Sequence, residues 1–146
     1  MQIFLEEKCY FCILETYRYI TSMARHNRLG TEGEEFAVQF LIKQGLIVRE
    51  RNWRFLHWEI DIVAEEADAI HVVEVKTRTS DEHFNPMQSI TRKKISNLIH
   101  AGNAYLHYHN IKKSLQFDVI IVIGQPGNFS LQYLPNSIRP PLRTYR

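Results

Sequence analysis

The sequence predicts an α/β sandwich, a mixed β-sheet with helices packed against it, whose elements run α-β-β-β-α-β-β. Three observations predict it. Apolar residues recur at helical spacing over residues 31–45 and again over 89–109. Between those segments lie three β-like runs, the last two arranged as a hairpin. After the second helix, "LQFDVIIVIG" is a nearly continuous apolar run that reads as a buried strand.

The elements follow in order. "TEGEEFAVQFLIKQG" offers Thr31 as an N-cap with Glu34 three residues on, then Phe36, Ala37, Phe40 and Leu41, and Gly45 as a stop. "LIVRERNWRF" is the first strand. "EIDIVAEE" and "AIHVVEVKTR" follow as hairpin arms, joined most simply by a two-residue turn at Ala67–Asp68. "SITRKKISNLIHAGNAYLHYH" is the second helix, with Ile90, Ile95, Leu98, Ile99 and Leu106 on its apolar side. The buried strand comes next, then "QPGN" as a turn and "FSLQYL" as a last short strand. The tail from Pro135 has three prolines and three arginines and reads as irregular.

At 146 residues the chain supports one domain with a real core. "MARHNRLGTEGEEFA", opening at Met23, reads as a natural start. Residues 1–23 are therefore expected to be an N-terminal extension, 24–134 the domain, and 135–146 a Pro/Arg-rich tail. Net charge is only +2, so overall charge names no partner, although "TRKK" (Arg92, Lys93, Lys94) is a local basic patch that suits phosphate. No run of eighteen apolar residues exists and the acidic start does not suit a secretory signal, so a cytoplasmic protein with no membrane partner is expected. Cys9 and Cys12 form a lone C-x-x-C without the second ligand pair that a zinc site needs.

The chemistry sits in the hairpin, where Glu59, Asp61, Glu74 and Lys76 interrupt apolar runs. Strand side chains alternate faces, so Glu59, Asp61 and Val63 are expected on one face and Ile60, Ile62 and Ala64 on the other. A turn at Ala67–Asp68 sets Glu66 opposite Ala69, hence Asp61 opposite Glu74 and Glu59 opposite Lys76. Two directly opposed carboxylates repel unless one keeps a proton or a divalent cation joins them. Magnesium needs only one or two protein carboxylates beside its waters. Lys76 can then orient a water or stabilise charge on a phosphate, and Glu34 can reach the pair from its helix. The competing reading makes Glu59–Lys76 a cross-strand ion pair with Asp61 and Glu74 on a solvated face. Asn52 and Arg54 suit a phosphate or a turn, Lys94 a position over the site or plain surface, and Asp118 a cap or a ligand. Trp53 and Trp58 suit base stacking or core packing.

"GTEGEEFAVQFL", "ERNWR", "EIDIVA", "VVEVKTR", "ITRKK" and "QFDVIIV" together resemble the YraN-like family of small bacterial proteins, over about residues 24–134. That family is similar to the restriction-endonuclease-like superfamily, whose signature is written PD-(D/E)-x-K and which includes archaeal Holliday-junction resolvases and tRNA-intron endonuclease-like domains. The resemblance implies a restriction-endonuclease-like three-layer sandwich with a catalytic set of Asp61, Glu74, Lys76 and Glu34. Asp61, Glu74 and Glu34 would hold Mg²⁺ or Mn²⁺, with Glu59 and Lys94 beside the site. Asn52, Arg54, Arg78, Arg92 and Lys93 would contact nucleic acid. It implies a metal-dependent nuclease for DNA, branched or otherwise structured, with a homodimer expected of resolvase-like action. The alternative is a non-catalytic nucleic-acid-binding or adaptor module that keeps the fold. Ile60 stands where the superfamily signature has Pro, and Gln116 where an arginine usually precedes Phe-Asp.

Overall fold

The structure, a computed structural model, describes residues 7–80, 85, 88 and 90–140, except for the side chains of 7–17 and 26. The elements are α1 (Glu7–Lys43), β1 (Ile47–Phe55), β2 (Trp58–Glu66), β3 (Ala69–Arg78), α2 (Arg92–Tyr108), β4 (Ser114–Gln125) and β5 (Asn128–Leu134). Their order is the one expected from the sequence. The five strands form one sheet in the order β1-β2-β3-β4-β5. Only the β3–β4 pair is parallel, and α2 makes the crossover between them that parallel neighbours require.

Each helix covers one face, giving three layers. Ala37, Val38 and Leu41 of α1 pack with Ile62, Ala64, Val73, Val75, Ile120 and Val122. Leu98, Ala101 and Tyr105 of α2 pack with Trp53, Ile60, Val63, Ile70, Val72, Phe117, Val119 and Ile121 on the other side. The expected stop of α1 is present. Gly45 adopts φ +92°, its N–H donates to Ile42 O at 3.0 Å, and Leu46 N–H donates to Leu41 O at 3.1 Å. This is a Schellman motif, and it satisfies carbonyls the helix end leaves over.

The start of α1 differs from expectation. The helix does not begin at Thr31, and residues 7–23 are continuous with it. Thr31 lies mid-helix and its Oγ1 donates back to Asn27 O at 2.9 Å, the usual resort of a threonine inside a helix. The stretch upstream stays helical on its own residues, aided by an Arg28–Glu32 pair one turn apart at 2.6 Å. Gly33 has a different duty. A Cβ built there would stand 2.1 Å from Thr77 Oγ1 on β3, so only glycine lets α1 lie this close to the sheet. Gly33→Ala is expected to cost about 1–3 kcal/mol of stability as the helix backs away. Chemical denaturation checks it, and Thr77→Ala in the same chain should restore part of the loss.

The hairpin turns at Ala67–Asp68 and pairs Glu66 with Ala69 through to Ile62 with Val73, the expected register. There the β2–β3 ladder ends. Ile60 packs on the α2 side and Ile62 on the α1 side, so strict alternation fails at Asp61. The expectation that Ile60, Ile62 and Ala64 share one face is thus corrected. Beyond residue 134 the tail is not loose throughout. Ile138 is buried, and its N–H points to Phe117 O at 3.4 Å. Arg143, Arg146 and the Cys9 and Cys12 side chains lie outside the described residues.

A candidate carboxylate–lysine metal centre

Glu74 occupies the middle of the α2-facing side of β3, only 1% exposed among apolar neighbours. A buried carboxylate needs partners, and two lysines supply them. Lys76, two residues along the same strand face, brings Nζ to 2.6 Å from Glu74 Oε1. Lys94 brings Nζ to 2.9 Å from Oε2. Lys94 is placed by the helix start itself: Thr91 Oγ1 caps α2 by accepting from the Lys94 N–H at 3.2 Å. The contact of Lys94 with Oε2 is one of charge without hydrogen-bond alignment, and that oxygen is buried with no other partner.

Asp61 stands where β2 leaves β3. Its Oδ2 accepts from the Val75 N–H at 2.8 Å and so substitutes for the backbone acceptor that the ladder no longer provides. Oδ1 has no such partner. Burial, with the Glu74 charge adding to it, pushes the Asp61 carboxyl from 3.8 up to about 7, against the opposing Val75 bond. Burial alone would lower Lys94, but Glu74 first, then Asp61 and Glu59, outweigh it and raise its pKa.

Glu34 approaches from α1. It is near enough to add its charge to Asp61, and its Oε2 accepts from Asn52 Nδ2 at 3.3 Å. Asn52 reaches it from a left-handed position in β1, φ 50°, which asparagine tolerates better than most residues. Among the described residues no three His, Cys, Asp or Glu side chains converge as a ready-made metal cluster. A cation here would therefore take two protein carboxylates, Asp61 and Glu74, with Glu34 outside that pair. Two carboxylates, one with a free oxygen and one with a poorly matched one, suit magnesium, which usually keeps several waters.

The remaining expected residues divide. Glu59 does not face Lys76. It pairs with Arg54 across β1–β2 at 2.9 Å, because the ladder puts those two residues opposite each other. The cross-strand Glu59–Lys76 pair is thereby replaced. Arg78 sits at the exposed end of β3, its Nη1 donating to Thr77 O at 3.0 Å. Arg92 and Lys93 are exposed on the first turn of α2, which holds no acidic residue.

Asp118 lies apart from the centre, on the α1 side. It is fully buried and accepts from Tyr133 OH at 2.7 Å, Asn136 N–H at 2.7 Å and Gln116 Nε2 at 3.1 Å, with His71 Nδ1 at 2.6 Å. Burial would raise its pKa, but these bonds, His71 first, outweigh burial and hold it below the usual value. The group was visible in sequence only as an acid inside "FDVIIV" and a histidine inside "IHVV". A carboxyl lowered by folding stabilises above its unfolded pKa, and that contribution is lost as pH falls through the folded value. Asp118→Asn is expected to cost about 1–3 kcal/mol at pH 7 and to shrink the loss of stability between pH 5 and pH 2. Denaturant midpoints across that range check it.

Residues 33–122, which carry Glu34, Asp61, Glu74, Lys76 and Lys94, match the model of the uncharacterised protein family UPF0102. The chain belongs to that family. UPF0102 proteins of Bacteroides thetaiotaomicron and Bacteroides fragilis are 40% and 39% identical over 120 residues, which is 82% of this chain and 99% of each relative. A UPF0102 protein of Flavobacterium psychrophilum is 36% identical over 115 residues, 79% of this chain and 97% of its own. The UPF0102 match agrees with the YraN-like resemblance. No helix among the described residues is long and apolar enough to cross a membrane.

Proposed function

We propose that the chain is a divalent-metal-dependent nuclease that hydrolyses phosphodiester bonds in DNA, with branched or otherwise structured DNA as its substrate. The observation that carries this reading is Glu74, a nearly inaccessible carboxylate held between two lysines and beside a second carboxylate that burial keeps ready to accept a proton or a cation. Asp61 and Glu74 would hold Mg²⁺ or Mn²⁺. When bound, the cation supplies Lewis-acid stabilisation of charge on phosphoryl oxygens. Lys76 would orient the attacking water or steady the developing phosphate charge. Lys94 sits on the opposite side of Glu74 and offers a second ammonium to the same phosphate. Asn52 and Glu34 fix one another at the rim. Arg54, Arg78, Arg92 and Lys93 grip neighbouring phosphates, so binding should weaken steeply with salt. Cutting both strands of a branched substrate calls for two copies of the chain.

One observation favours a second reading. With both carboxylates ionised, Asp61, Glu74, Lys76 and Lys94 balance to zero formal charge, so the two lysines can neutralise the pair without a cation. A nucleic-acid-binding or adaptor module that keeps the fold would need nothing more. Incubation with linear, flapped and four-way DNA in Mg²⁺ or Mn²⁺ separates the two. Cleavage that falls by about 10²–10³-fold in Lys76→Ala supports the nuclease. Binding without cleavage, equal in wild type and Lys76→Ala, supports the adaptor.

A further inference from the structure

A cavity of about 490 Å³ opens between β1 and the end of α2, lined by Glu50, Trp53, Arg54, Phe55, Tyr108 and His109. That volume suits a small planar ligand. Its aromatic wall belongs to a ladder of rings. Trp53 and Phe55 stack at 5.9 Å with planes 4° apart, Phe55 and Trp58 at 6.2 Å and 21°, and Trp58 and His100 at 5.4 Å and 22°. Tyr108, 69% exposed, stands 6.4 Å from Phe55. Trp53 is buried and Phe55 is stacked by both Trp53 and Trp58, so Tyr108 is the ring of the cavity wall that stands most open to water.

The polar side is equally specific. Glu50 Oε1 meets His109 Nε2 at 3.1 Å and Tyr105 OH at 3.5 Å, while Oε2 has no partner among the described residues. That leaves a carboxylate oxygen on a residue that lines the aromatic-walled cavity. Arg54 lines the same cavity and is paired with Glu59, whose charge acts on Lys94 in the carboxylate centre. The Arg54–Glu59 pair therefore lies between the cavity, which Arg54 lines, and the centre, on which the Glu59 charge acts.

We propose that this cavity takes one unstacked nucleobase, preferring a base that carries an exocyclic amino group over thymine. The inference rests on the nucleic-acid reading above and narrows its substrate to strands with an unpaired base beside the cut. The ring stacks on Tyr108, since every base has a π-face, and Phe55, tilted 58° from Tyr108, closes the side of the cavity. Glu50 Oε2 accepts from the exocyclic amino group of cytosine or adenine, whereas thymine presents the O4 acceptor at the ring position where cytosine has its amino group.

The test needs no cleavage. The only two tryptophans, Trp53 and Trp58, both lie in the ring ladder, so their fluorescence reports the site. Short oligomers of dC, dA and dT, and an abasic strand of equal length, are titrated in the presence of a chelator. Expected are quenching by dC and dA, about tenfold weaker binding of dT and of the abasic strand, and about tenfold loss in Tyr108→Ala. Glu50→Gln should remove the discrimination against dT, because an amide can donate to thymine O4. Equal binding of base-bearing and abasic strands, or an unchanged Tyr108→Ala, overturns the inference. If DNA is still cut when that happens, the nuclease reading stands without it. If these preferences hold but no DNA is cut, the inference stands and the nuclease reading fails.

Discussion

Glu74→Ala is expected to abolish metal-dependent cleavage and to destabilise the fold by about 2–3 kcal/mol, the cost of leaving two half-buried ammoniums without the carboxylate they share. Two charges are stranded here. With the carboxylate gone, Lys76 and Lys94 each lose the oxygen that now neutralises them. For a chain of this size the loss corresponds to a fall in melting temperature on the order of 10 °C. A control separates charge from volume. Lys94→Met in the Glu74→Ala background removes one stranded ammonium and should recover part of the stability without any activity. If Glu74→Ala were as stable as wild type, the two lysines would not depend on Glu74 as the distances indicate.

Asp61→Asn is expected to move stability the other way. Asn Oδ1 can still accept from the Val75 N–H, so the end of the ladder is kept. What disappears is a carboxylate whose pKa folding raises from 3.8 to about 7. Between those values the folded chain holds a proton that the unfolded chain has released, so the metal-free wild type loses stability as pH rises from about 4 to about 7. A tenfold difference in proton affinity between the folded and unfolded chain is worth about 1.4 kcal/mol. The substitution should therefore stabilise the metal-free protein by a few kcal/mol above pH 7 and hardly at all near pH 4. Melting curves at the two pH values in a chelator measure the difference. The same variant should have no cleavage activity. Gain of stability with loss of activity is the signature of a site kept for function against the preference of the fold.

Most of the sheet was legible because two local signals agree. The turn at Ala67–Asp68 sets the hairpin register, and the apolar residues on both arms leave little freedom to slip. Ala67 sits at φ 38°, a conformation that alanine does not advertise, so the turn was found by counting and not by turn chemistry. The second helix was legible from its period, but its Thr91 cap was not, and the helix predicted from sequence already includes Thr91. Nor was the start of α1. Thr31 and Glu34 have capping-box spacing, and Gly30 just before them also reads as a break, yet the helix runs through them, so the local signals were overridden.

The Asp61 and Glu74 pair was legible as two acids one register step beyond the paired residues. Its surroundings were less so. Glu59 answers to Arg54 because β1 is its nearer neighbour, and the hairpin alone does not reveal β1. The failure of alternation between Ile60 and Ile62 follows from β2 parting from β3, a tertiary event that a period-2 pattern cannot carry. The double hold on Glu74 needed both the strand spacing to Lys76 and the docking of α2, and only the first is written in sequence.

Everything proposed for the centre depends on Asp61 and Glu74 forming a metal site, and calorimetric titration with Mn²⁺ tests that most directly. Wild type should bind one ion per chain, more tightly as pH rises toward about 7 and Asp61 gives up its proton, with little change above. Asp61→Asn, still folded, should give no such heat. Binding that is absent from the wild type, or that survives unchanged in Asp61→Asn, would contradict a metal site at this pair.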